Sequence, residues 1–320
     1  MQSRTLLMLV ALLLGTNVLT GFAWAQNRSA TATVHSGRNQ EAYGLLANRI
    51  FAEDANDVII NFSPLRTALN MYFDKNIPER HSFYFEYLPT GTSIRINSNE
   101  ELIGASLLKL PVVMNLYKAQ ELGKVRLDQT VTLKQEWLDA DFGTLYKRGA
   151  GAKIMLQQAA DMVLQESDNT AVNAILDTVN PLLGPEEHAL VELDTPHTIV
   201  ERNRVEIGAQ PYSSLLKCLY FSCFLNENHS QMILERMTKA EDYGRIAAGV
   251  PDSIPVAHKI GTFSTVTQGD CGIVYNETRP FIVCMLLDEP DPEASRHIKE
   301  VTALIYQYVS SSQHNTDNDR

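Results

Sequence analysis

The chain lacks any surplus of positive charge: 27 Lys and Arg against 38 Asp and Glu leave a formal net charge of −11 at pH 7. No basic stripe appears either, and nucleic acid is excluded as a partner. Cysteine and histidine are scarce, four and eight among 320 residues, and no Cys/His spacing fits a metal site. No metal or cofactor is expected. Length allows one or two domains, and no internal repeat and no Gly/Ser-rich linker divides the chain.

What is present is ordinary globular composition, 44% hydrophobic and 20% charged, enough to bury a sizeable core. The N-terminus reads as an export signal. Arg4 precedes an apolar run, Leu6 to Phe22, which ends in the small-residue pattern Ala23-Trp24-Ala25 with Gln26 as the new N-terminus. Residues 1–25 are thus expected to be a signal peptide, giving a periplasmic or secreted protein. The alternative is an uncleaved anchor, the only route to a membrane. Export permits disulfides. Cys218 and Cys223, five apart on a predicted helix, point to different faces, while Cys271 and Cys284 flank a hairpin centred on Glu277 and Thr278 that can set them opposite each other. Apolar surroundings favour buried free thiols at all four.

Residues 26–60 read as an N-terminal extension with an amphipathic stretch from Glu41 to Phe51. Ser63-Pro64 opens a helix to about Lys75, with serine as cap and proline in the first turn. Ser82 to Leu88 and Thr92 to Asn97, joined by Pro89-Thr90-Gly91, form a hairpin. Ser106 to Glu121 is apolar on nearly every side, so that helix should be buried. Helical patterns recur at Met155 to Gln165, Thr170 to Val179, Tyr212 to Leu225 and Ser230 to Lys239. Strands return at Ile254 to Phe263, Cys271 to Tyr275 and Phe281 to Leu287, and a helix from Pro292 to Val309 precedes a polar, disordered tail at 311–320. Two strands, a long helical insert, three strands and a closing helix predict an α+β fold, its antiparallel sheet covered by the first and last helices.

Ser106-Leu107-Leu108-Lys109 sets a hydroxyl and an amine three residues apart, on one helix face, so that the lysine nitrogen can reach the serine oxygen. A serine is a weak nucleophile until a neighbouring base takes its proton. Taken alone the match is common, and an exposed first-turn serine and lysine is the bland alternative. Ser167-Asp168-Asn169 taken alone is a helix cap, and Lys259 in Lys259-Ile260-Gly261-Thr262 taken alone is an edge-strand lysine turned to solvent.

In order and spacing, however, Ser-x-x-Lys, Ser-Asp-Asn and Lys-x-Gly resemble the penicillin-recognising serine hydrolases, the class A β-lactamases and related D,D-peptidases. The resemblance runs from about Asn61 to Val309 and includes the hairpin from Phe83 to Gly91 and the run from Gly104 to Pro111. It implies a β-lactamase/D,D-peptidase-like α+β fold: a five-stranded antiparallel sheet flanked by N- and C-terminal helices, with an all-α subdomain between strands 2 and 3. The catalytic domain would be 61–310, its α/β part 61–102 and 254–310 and its helical part 103–253. The resemblance also implies roles. Ser106 would attack an amide or lactam carbonyl, Lys109 would serve as base, and Ser167 would relay a proton to the leaving nitrogen. Asn169 would hold Lys109 and the cavity, Lys259 would attract the substrate carboxylate, and Gly261 would let the substrate lie flat on the strand. The backbone N–H groups of Ser106 and Thr262 would form the oxyanion hole.

Two departures matter. Ile260 stands where the family usually carries Thr or Ser, leaving Thr262 as the available hydroxyl. The Glu-x-x-Leu-Asn loop, whose glutamate activates the deacylating water in class A β-lactamases, is absent; Glu201 and Glu206 fall in its region but within a charged segment that reads as a solvated loop. The expected function is an exported monomeric serine hydrolase opening a β-lactam amide, with slow deacylation. The alternatives are a D,D-carboxypeptidase or related cell-wall hydrolase acting on a peptidoglycan stem peptide, and a non-catalytic protein that binds such ligands. An amine inside an apolar helix speaks against the last, because an unpaired buried charge is costly.

Overall fold

The computed structural model describes residues 60–77, 79–201 and 204–311, preceded by one short antiparallel ladder, His35–Ser36 (β1) with Ile50–Phe51 (β2). That ladder lies in an N-terminal unit, Met1–Asp57, and the remainder forms a second unit, Val58–Arg320. Strand β2 takes the end of the stretch read as amphipathic. The export segment 1–25, the rest of the extension and the tail from residue 312 lie outside the described residues.

Helix α1 (Ser63–Asn76) carries proline in its first turn as expected, but Ser63 is its first helical residue rather than its cap; the cap position is Phe62, and Asn61 Oδ1 accepts from the Ser63 N–H at 3.0 Å. Strands β3 (His81–Tyr87) and β4 (Thr92–Ile96) form the first hairpin. A two-residue strand, β5 (Leu102–Ile103), leads into a 3-10 turn at Ala105–Leu108 and then α2 (Lys109–Glu121). The inserted segment continues through β6 (Thr130–Thr132), β7 (Lys153–Met155), α3 (Leu156–Gln165), α4 (Asn169–Val179) and α5 (Ala189–Glu192). It then runs through β8 (Thr198–Glu201), β9 (Arg204–Ile207), α6 (Ala209–Phe221) and α7 (Glu227–Met237). Strands β10 (Val256–Phe263), β11 (Thr267–Val274) and β12 (Phe281–Leu287) and helix α8 (Glu293–Ser311) close the chain.

The main sheet is antiparallel in the order β10-β11-β12-β3-β4. Both its faces are buried, which is why Phe281 to Leu287 is continuously apolar rather than alternating. Phe83, Phe85, Val283 and Met285 pack with Leu69 and Phe73 of α1 and Ile298 and Val301 of α8. Tyr84, Ile282 and Leu286 point the other way, into the core built on α2 and α6. Full burial of each such side chain is worth about 1.5–3 kcal/mol, so the two helical layers hold the sheet between them. The insert is mostly helical and also carries two small sheets, β6 with β7 and β9 with both β5 and β8. The segment read as a solvated charged loop around Glu201 and Glu206 is therefore a hairpin edge attached to the strand that enters the 3-10 turn.

The cysteine expectation is overturned: Cys218–Cys223 and Cys271–Cys284 are both disulfides, and no cysteine is free. The helix read as Tyr212 to Leu225 stops at Phe221. Ser222 is left-handed at φ 52°, and the Cys223 N–H turns back to the Cys218 carbonyl at 3.0 Å. This reversal brings the Cα atoms to 5.0 Å, within disulfide reach. Cys271 and Cys284 face each other directly across β11 and β12. Denatured protein without reductant should take up no alkylating agent, and reduction should then expose four equivalents of thiol by intact mass; alkylation before reduction would show a bridge missing.

Candidate active site

The nucleophile candidate sits on a constrained turn. Ala105 is held at φ 46°, a region that costs a non-glycine residue free energy. The turn is pinned by Gly104, whose N–H donates to the Val205 carbonyl of β9 at 2.9 Å. On the other side lies β10. A Cβ on Gly261 would come within 2.8 Å of both the Gly104 carbonyl and Leu107 Cγ, so only glycine lets the turn press against this strand. Ser106 consequently occupies the 3-10 turn, and Lys109 opens α2 one turn later.

Ser167-Asp168-Asn169 serves as a cap and as part of the site together. Asp168, fully buried, caps α4 through Oδ1, which accepts from the Ala171 N–H, while Oδ2 accepts from the N–H groups of Thr144 and Leu145 at 2.7 Å each. Ser167, at φ 56°, is turned toward the cleft. Lys109 Nζ donates to the Ser167 carbonyl at 2.5 Å, to Ser167 Oγ at 3.2 Å and to Asn169 Oδ1 at 2.5 Å. Asn169 is fixed in turn by donating Nδ2 to Asp139 Oδ1 at 3.0 Å. From the opposite wall Lys259 Nζ donates to Ser167 Oγ at 3.1 Å and to the Ile260 carbonyl at 3.1 Å. One hydroxyl thus joins two ammonium groups. Among the described residues no hydrogen bond joins Lys109 to Ser106 Oγ; the amine is parked on Ser167 and Asn169.

Burial governs both amines. Desolvation pushes Lys109 down to about 8, against the opposing pull of Asp168 and Asp139. Desolvation also pushes Lys259 down to about 7, helped by the charge on Lys109 and opposed by Asp270. Lys259 lies on the edge strand but is only 2% exposed, so the solvent-facing reading of that lysine does not hold. Ser106, Ser167, Lys259 and Thr262 all line one cleft. Two amines lowered toward neutrality, a hydroxyl shared by both and a second hydroxyl on the same cleft are together equipped for acyl transfer to oxygen.

Glu206 does not line this cleft, and its charge acts on Arg80, which does not line it either. Glu201 ends β8 opposite Arg204; its side chain lies outside the described residues. Three contributors escaped the sequence reading. Asp139 orients Asn169, and the Phe142 ring lies 5.9 Å from Lys109 Nζ. Arg245, 1% exposed, donates to the Gly261 and Gly269 carbonyls at 3.1 and 2.7 Å and to Thr262 Oγ1 at 3.2 Å. It also reaches Gln268, Asp291 and Ser295. This fork ties the Lys-x-Gly-Thr strand to its neighbour and to the start of α8. Among the described residues no cluster of three or more His, Cys, Asp or Glu side chains is placed to hold a metal ion.

Solved structures share this arrangement of elements. A mutant of PBP-A captured as an acyl-enzyme complex with penicillin G superposes with a TM-score of 0.70 at 20% identity, over 78% of this chain and 97% of that one. A beta-lactamase from Sphaerobacter thermophilus gives 0.68 at 18% identity, over 79% and 99%. A variant of the last common ancestor of Gram-negative bacteria beta-lactamase class A gives 0.67 at 19% identity, over 78% and 100%. No curated protein sequence matches the chain. The sequence model of the beta-lactamase enzyme family matches residues 64–309. With the three motifs of the penicillin-recognising serine hydrolases on one cleft and that match spanning most of its length, the chain belongs to the beta-lactamase enzyme family.

Proposed function

We propose that the protein is an exported serine hydrolase that opens β-lactam amides through a Ser106 acyl-enzyme and releases the acyl group slowly. The observation that carries this reading is the Ser167 hydroxyl, bonded by both Lys109 and Lys259 in the cleft that Ser106 lines. Lys109, lowered toward neutrality, takes the Ser106 proton as Oγ attacks the carbonyl. Ser167 passes a proton to the leaving nitrogen, Lys259 holds the substrate carboxylate, and the Ser106 and Thr262 N–H groups hold the oxyanion, each worth roughly 3 kcal/mol by analogy. Asn169 positions Lys109, and Gly261, rather than leaving the strand open to substrate as expected, lets the Ser106 turn press against it. Residues 61–310 form the catalytic part, and export rests on the N-terminal pattern.

The second reading, a D,D-peptidase using the same acylation apparatus on a stem peptide, is favoured by the position of Glu206 outside the cleft. Incubation with a chromogenic cephalosporin and a labelled penicillin separates the two. Sustained colour with a transient adduct by intact mass supports the β-lactamase. A stable adduct without turnover supports the peptidase. A folded sample that takes no label sinks both.

A further inference from the structure

Two carboxylates on the cleft are unused by this mechanism. Glu166, half-buried, precedes Ser167 in the chain, and Glu241, exposed, lies across from it. The Glu241 N–H donates to the Gln165 carbonyl at 3.3 Å, so both acids belong to the Ser167 end of the cleft. Each has a neutral partner: Thr144 Oγ1 donates to Glu166 at 3.0 Å and the Tyr243 hydroxyl to Glu241 at 2.6 Å. Among the described residues neither meets a cation, and neither is among the charges that perturb the two cleft lysines. The cleft also carries the opposite imbalance. Lys259, 2% exposed, donates to a hydroxyl and a carbonyl and, among the described residues, makes no ion pair with a carboxylate. Apolar surface from Leu164, Ala240 and Ile260 and the ring of Tyr243 line the space they share. A ligand that completes this cleft carries an anion for Lys259, an aliphatic stem and a cation for Glu166 and Glu241.

Resting on the acyl-enzyme reading, we propose that the preferred leaving group is a basic amino acid of the lysine type at the carboxyl terminus of a peptide. Its α-carboxylate sits on Lys259, its methylenes lie along the apolar wall, and its side-chain ammonium reaches Glu166 and Glu241. In the reaction the bond from Ser106 Oγ to the acyl carbon forms as the amide C–N bond breaks. The serine proton reaches the departing amine by way of Lys109 and Ser167. Water then hydrolyses the ester, returning the serine and a free carboxylate. A neutral terminal residue leaves both acids without a partner, and an acidic one meets like charge.

Otherwise identical acyl dipeptides ending in lysine, norleucine or glutamate, in both configurations, test this on the full chain by release of the terminal amino acid. Norleucine keeps the stem without the charge. Lysine is expected to exceed norleucine in kcat/KM by about tenfold at low salt, as two ion pairs at a partly solvated rim allow. Glutamate should be slowest. In Glu166→Gln with Glu241→Gln the lysine-to-norleucine ratio should fall toward one, and taking the ratio within each variant cancels any difference in folded fraction. Equal rates on lysine and norleucine in the parent chain, or a lysine preference that survives the double variant, overturns the proposal. So does an equal loss on every substrate in Glu166→Gln, which would make Glu166 a water-activating base instead. Labelling of Ser106 by penicillin without cleavage of any peptide overturns this inference alone; failure of both overturns the acyl-enzyme reading beneath it.

Discussion

Ser106→Ala is expected to take up no β-lactam, and Lys109→Ala to acylate roughly a thousandfold more slowly than the parent chain, within the span of general-base contributions. The size follows from protonation. With its pKa lowered to about 8, about a tenth of Lys109 is neutral at pH 7; an ordinary lysine near 10.5 would be neutral only about once in three thousand. Burial therefore raises the supply of base several-hundredfold before geometry is counted. Because the two residues act in one step, the double variant should be no worse than Ser106→Ala alone. Lys109→Met, which keeps the buried stem, guards against simple loss of fold. The rate of adduct formation by intact mass measures all four, and a Lys109→Ala chain acylating at the parent rate would remove the lysine from the mechanism.

The parts of this site that were legible in the sequence are those whose signal is local. Ser106 and Lys109 lie one turn apart, Ser167 to Asn169 form a cap, and Lys259 to Thr262 lie on strand β10; in the same sheet β12 is bounded correctly by its unbroken apolar run. Each was ambiguous alone; their order along the chain resolved them. The hairpin from β3 to β4 was legible for the same reason, since turn residues and alternation sit within a few positions.

What could not be read depends on contacts between distant segments. Arg245 lies in a polar stretch like any surface arginine, and its burial follows only once β10, β11 and the start of α8 converge on it. The bridge between Cys218 and Cys223 depends on one left-handed serine ending a helix whose apolar pattern continues beyond it. The segment from Thr198 to Ile207 is charged because it alternates on a hairpin, and its pairing partner, Leu102–Ile103, is too short to announce itself. The deacylation candidates Glu201 and Glu206 both lie on that hairpin, whereas the acids that line the cleft, Glu166 and Glu241, stand in no motif that marks them.

Lys259→Met is expected to stabilise the fold while removing most activity. Burial pushes the lysine down to about 7, below its value near 10.5 in an unfolded chain. Between those limits the unfolded state binds more protons, so stability rises with pH across about 7 to 10.5, and below 7 the penalty for charging this amine is fully present. The methionine variant escapes that penalty. Allowing for the hydrogen bonds lost to Ser167 and Ile260, it should unfold about 2 kcal/mol harder than the parent at pH 6, with the gap closing toward pH 10. Denaturant titrations at the two pH values measure this, and a gap that does not change with pH would refute the assigned titration. Activity moves the other way, because the reaction needs Lys109 neutral and Lys259 charged at once. With Lys109 near 8 and Lys259 near 7 the pair titrates as a coupled unit, and kcat/KM should be bell-shaped with its maximum between about 7 and 8. In the free protein the last proton of the pair favours Lys109, the less productive site. A substrate carboxylate arriving at Lys259 draws the proton there and frees Lys109 to act as base. Substrates without a carboxylate should therefore lose rate as well as binding, by about a hundredfold near pH 7.5, and Lys259→Met should erase the difference between the two kinds of substrate.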